Sequence, residues 1–179
     1  MSGAIKAAAA EITRLYAEIY RCLPEREKSE EGLRRWREAC SRFHEAYPKL
    51  AFPGGLARLY AELPRGNRAA IEDAIRFLET DPYFFRSGYL KEELLRYLAR
   101  APLDADQESR LRDVVLARVR GPARREFRRY CRLARRLSTT DFIAQLQEVA
   151  EREPGTAGRQ ADWVLRAIRH EGPLPSRRS

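Results

Sequence analysis

Gly121-Pro122-Ala123-Arg124-Arg125-Glu126-Phe127-Arg128-Arg129-Tyr130-Cys131-Arg132-Leu133-Ala134-Arg135-Arg136-Leu137 is the stretch from which the chain is best read. Ala123, Phe127, Tyr130, Ala134 and Leu137 recur at intervals of three and four, which places them on one face of an α-helix. Arg125, Arg129, Arg132 and Arg136 form one row on the remaining surface. Arg124, Arg128 and Arg135 form the row beside it. Pro122 reads as the first helical residue, a position where a missing N–H costs nothing. The same 3.6-residue periodicity recurs along the chain and no convincing strand appears. The predicted fold class is therefore all-α, with about nine helices.

Charge singles out the same stretch. Residues 118–136 hold nine Arg and one acid, Glu126, a net +8 within a chain whose formal charge is +9. Like charges at i, i+4 weaken an isolated helix by roughly 0.2–0.5 kcal/mol per pair. Three explanations fit such crowding, the plainest being a face that is simply solvated. A polyanionic partner would neutralise the arginines, or carboxylates such as Glu148, Glu151 and Glu153 on the next helix would do so within the fold.

Working outward, a first helix runs from about Ala4 to Cys22 with Ile5, Ile12, Leu15, Ile19 and Leu23 on one stripe. Ser29 caps a second, carrying Leu33, Trp36, Cys40, Phe43 and Tyr47, and Pro48 ends it. A short third helix follows the Phe52-Pro53-Gly54-Gly55 turn. Asn67 opens a helix with Ile71, Ala74, Ile75 and Leu78 inward. After Asp81-Pro82, residues Tyr89, Leu90, Leu94, Leu95 and Leu98 carry the next one. Asp104 with Gln107 reads as a capping box ahead of Leu111, Val114, Val115 and Val119. Beyond the Arg stretch, Ser138 to Thr140 caps a helix with Phe142, Ile143, Leu146 and Val149. Pro154-Gly155 separates it from a last helix with Trp163, Val164, Ala167 and Ile168. Residues 1–171 are expected to form a single helical domain, with N-terminal helices over 1–65, repeat-like pairs over 67–171 and a disordered tail at 172–179.

Helix pairs begin near Asn67, Asp104 and Thr139, a repeat of about 35–37 residues. In this layout residues 67–171 resemble a HEAT or armadillo-type α-solenoid. The resemblance implies stacked antiparallel helix pairs that present a surface to proteins or to nucleic acid. A compact, irregular multi-helix bundle satisfies the same pattern.

The candidate polyanion-binding residues are Arg118, Arg124, Arg125, Arg128, Arg129, Arg132, Arg135 and Arg136. Guanidinium groups grip phosphates bidentately, so nucleic acid is the leading partner. Sequence-specific readout does not follow, because the pattern addresses phosphates and not base edges. A second candidate is the corner Tyr83, Phe84, Phe85, Arg86, Tyr89 and Lys91. It reads either as a stacking or partner-anchoring patch or as packing between helices.

Catalytic sets are poor. His44 and His170 have no partner at metal-ligand spacing, and no G-K-[ST] follows Gly54-Gly55. No metal and no cofactor is expected. Cys22, Cys40 and Cys131 make an odd set without a C-x-x-C pair, which fits a reduced, cytoplasmic chain. Cys131 reads either as an inert buried thiol or as one activated by the surrounding arginines. No run of apolar residues suits a membrane span or a signal peptide. The expected function is that of a non-enzymatic helical-repeat protein binding a polyanion. The main rival is an adaptor whose Arg face and aromatic corner bind an acidic protein. An enzyme on the same scaffold, removing nucleic-acid bases, would need a buried acid and an aromatic facing the basic groove.

Overall fold

The computed structural model describes residues 2–169. The tail at 172–179 and His170 lie outside the described residues. Among the described residues there is no strand, and nine α-helices follow in order. These are α1 (Ser2–Cys22), α2 (Glu30–Leu50), α3 (Gly55–Glu62), α4 (Arg68–Thr80), α5 (Ser87–Leu98), α6 (Ala105–Val119), α7 (Phe127–Arg136), α8 (Thr140–Arg152) and α9 (Thr156–Ile168). The all-α, multi-helix class read from the sequence is the observed one.

The starts of the helices follow local chemistry. The Ser29 hydroxyl accepts a hydrogen bond from the Gly32 amide at 3.0 Å. Asn67 Oδ1 accepts from Ala69 and Ala70 at 3.0 and 3.1 Å. Asp104 Oδ1 accepts from the Gln107 amide at 3.0 Å while Gln107 Oε1 accepts from the Asp104 amide at 3.2 Å, the reciprocal pair of a capping box. Thr139 accepts from the Phe142 amide at 3.2 Å. Each such cap satisfies an amide that the first helical turn leaves without a partner, worth about 1 kcal/mol. Pro48 corrects one expectation: it lies inside α2, which continues to Leu50. The lost amide falls in the last turns, where a carbonyl left unbonded still reaches solvent, so the helix survives for two more residues.

The chain divides into two compact units, Met1–Ser87 and Gly88–Ser179. In the first, α1 packs along α2, and α4 and α3 close on that pair. Ile12, Leu59, Ile71 and Ile75 are fully enclosed there. An ion pair from Arg42 to Glu18, 2.6 Å, ties α2 to α1. In the second unit α8 packs on α9, and α7 lies against α9 and α6. Its core includes Leu94, Leu111, Val115, Tyr130, Leu146 and Val164.

Close packing of the α8–α9 turn shows at Gly158. A Cβ there would land on the Glu153 carbonyl oxygen and sit 3.2 Å from that of Ala150. Alanine normally strengthens a helix relative to glycine by about 1 kcal/mol. Gly158→Ala should instead destabilise the protein, by about 1–3 kcal/mol as overpacking does, read as a lower urea midpoint.

Candidate functional site

Helix α7 is organised by what it buries. Phe127, Tyr130, Cys131, Leu133, Ala134 and Leu137 are all enclosed. Fully burying a large apolar side chain is worth roughly 1.5–3 kcal/mol. That exceeds the few tenths of a kcal/mol that each like-charge pair along the helix costs. The helix therefore forms despite its charge, and its arginines take the positions that remain.

The helix begins at Phe127, not near Pro122 as the periodicity suggested. The preceding residues form a turn in which the Phe127 amide bonds the Arg124 carbonyl at 3.1 Å. Ala123 is exposed instead of inward. One tertiary anchor holds the chain just ahead of this turn. Gln160 of α9, fully buried, donates from Nε2 to the carbonyls of Val119 and Gly121 at 2.9 and 2.8 Å. Glu126 is buried at the head of α7, and its Oε2 lies 3.2 Å from where a Cβ on Gly88 would be. Proline at position 122 suits a turn as well as a helix start. The sequence did carry a hint of Gln160: it sits at i, i+4, i+7 with Val164 and Ala167, a polar side chain on an inward stripe.

The arginines sort into three groups. Arg135 and Arg136 reach back to the fold: Arg135 Nε donates to the Ala167 carbonyl at 2.6 Å, and an Arg136 terminal nitrogen donates to that of Leu98 at 3.0 Å. Both carbonyls belong to the last turn of a helix, where positive charge is favoured. Arg118 is buried within α6, and Arg124 is half-buried in the turn. Arg125 lies 3.4 Å from Glu92 and 3.4 Å from the Tyr89 ring centroid.

Arg128, Arg129 and Arg132 form the third group. Among the described residues, none of them has a carboxylate within ion-pairing distance. Of the acids expected to serve them, Glu153 pairs with Arg120 at 2.8 Å and Glu148 with Arg152 at 2.6 Å, while Glu151 pairs with none of the three. Arg132 is held below the usual arginine pKa by partial burial, then by Arg129, Arg128 and Arg135 beside it. Its surroundings are thus net positive. Helix α2 shows the contrast, since Arg34 and Arg35 both pair with Glu31 at 2.7 Å.

The structure divides the aromatic corner. Phe84 is buried, edge-on to Tyr47 and Phe77. Phe85 stacks on Tyr16 with centroids 4.2 Å apart. Arg86 adopts a left-handed φ of 64°. Tyr83, 78% exposed, is the most open of its aromatic residues. The division between the two compact units falls at Ser87 and Gly88, inside this stretch. In the second unit Tyr89 is half exposed under Arg125, while Lys91 is fully buried.

Among the described residues, no group of three or more His, Cys, Asp and Glu side chains is placed to hold a metal ion. No described helix is long and apolar enough to cross a membrane. Comparison with protein-family models, with curated proteins and with solved structures found no match.

Burial decides between the two readings of Cys131. Enclosure raises its pKa to about 12, outweighing the opposing effects of a backbone hydrogen bond and of Arg128. An unfolded thiol ionises near pH 8.5, so at about that pH the unfolded chain has lost a proton that the folded chain keeps. Cys131 should therefore resist iodoacetamide at about pH 8.5 in the native protein and become alkylated once urea unfolds it. Peptide mass mapping of the labelled protein checks this.

Proposed function

We propose that this chain is a non-enzymatic helical-repeat binding protein, HEAT-like in layout, that docks nucleic acid on helix α7. One observation carries the reading: Arg128, Arg129 and Arg132 crowd one helix without a carboxylate partner among the described residues. Residues four apart on a helix rise about 6 Å, within the span of neighbouring phosphates. Binding of this kind is electrostatic, indifferent to base sequence and steeply dependent on salt. Arg135 and Arg136 would set the edge of the surface, since both also hold helix ends. Tyr130 is buried and belongs to the core, so it does not stack on a ligand. A cytoplasmic setting fits three unpaired cysteines.

The rival reading is an adaptor for an acidic protein. It draws on Tyr83, whose ring is largely exposed in the other unit and could anchor a partner. Nucleic acid is preferred because the unpaired cations cluster on one helix at a spacing that suits neighbouring phosphates.

Titration of duplex DNA across a salt series tests the proposal. Neutralising three phosphates predicts a log–log slope of about −2.7, from roughly −0.9 per phosphate. Replacing Arg128, Arg129 and Arg132 together by Glu should abolish binding while leaving the circular dichroism unchanged. Undiminished affinity of that variant would remove the reading. Binding that vanishes near physiological salt, beside tight capture by a polyglutamate-rich protein, would favour the adaptor.

A further inference from the structure

Arg125 differs from the other arginines of the stretch in being contacted from several sides by an aromatic ring, a carboxylate and a glycine backbone. Its guanidinium carbon lies 3.4 Å from the centroid of the Tyr89 ring, a close cation–π contact. Its Nε lies 3.4 Å from Glu92 Oε1. Its methylenes pass the backbone of Gly88, where a Cβ would meet Cγ and Cδ at 3.3 Å. With these contacts made, 34% of the Arg125 side chain stays open, and Tyr89 is 50% exposed. A planar cation and an aromatic ring are thus presented together, two residues ahead of α7 and three ahead of Arg128.

We infer that the Tyr89–Arg125 pair is a stacking platform for an unpaired nucleobase, and that the ligand of this surface is single-stranded nucleic acid. The inference rests on the reading of α7 as a phosphate-binding helix. It adds what the unpaired arginines alone do not specify. In a duplex the base faces are occupied by their neighbours in the stack, so a ring and a guanidinium plane find no partner there. In a single strand each base offers a free π-face, and aromatic and arginine planes bind it without regard to sequence. The strand would place one base on Tyr89–Arg125 and run its following phosphates along Arg128, Arg129 and Arg132. Glu92 pairs with Arg125 and disfavours a phosphate at that position, which leaves the platform to a base.

Fluorescence anisotropy with a mixed-sequence DNA single strand and a fully paired, loop-free duplex of equal phosphate count tests this. The wild type should prefer the single strand by roughly ten-fold or more, the scale of one base-stacking contact. Arg125→Lys keeps the charge but lacks the plane. It should retain duplex affinity and salt slope while losing the preference. Tyr89→Leu, which keeps an apolar side chain at the position, should lose it as well. Equal binding of both ligands by the wild type, or an undiminished preference in both variants, would overturn the platform and leave phosphate binding by α7 standing. Absence of binding to either ligand at low salt would overturn both.

Discussion

The feature on which everything else rests is the burial of one side of α7. Phe127, Tyr130, Leu133 and Leu137 are enclosed, and no rotation of the helix keeps them there while also turning its arginines inward. Hydrophobic burial wins over charge repulsion by several kcal/mol on the magnitudes that govern each. The arginines are therefore placed by what the opposite side of the helix does. Their outward position costs the fold a little, and among the described residues no carboxylate offsets that cost for Arg128, Arg129 and Arg132.

The surrounding unit keeps this arrangement from collapsing into internal ion pairs. Glu148 and Glu153 are engaged by Arg152 and Arg120. Arg135 and Arg136 are absorbed by carbonyls at the ends of α9 and α5. Gln160 pins the approach to α7 from inside. What is left is a short cationic row beside Arg125.

Much of the fold was legible because helix signals are local. Ser29, Asn67, Asp104 with Gln107, and Thr139 each sit where a cap is needed, and each is a cap in the structure. The start of α7 was not legible, since the chain just ahead of it is held by Gln160, 41 residues from the Val119 carbonyl that it bonds. Periodicity carries no information about such a bond. The pairing of the arginines was equally hidden: Glu153 looks as available to α7 as to Arg120 until the helices are placed. Lys91 was grouped with the aromatic corner as a partner-binding candidate, whereas it lies on the inward side of α5 with Leu94, Leu95 and Leu98. Tyr89 under Arg125 joins residues from two candidate sets that the sequence kept apart.

Salt dependence of folding stability tests the central claim most directly, without any ligand. At low ionic strength charges interact over long range, and the Debye length falls to about 10 Å at 0.1 M. If α7 carries uncompensated charge, added sodium chloride should stabilise the second unit, and Arg128→Gln with Arg132→Gln should raise low-salt stability and flatten the response. A double variant less stable than the wild type at low salt, with an unchanged salt response, would mean that these guanidinium groups are already neutralised within the fold.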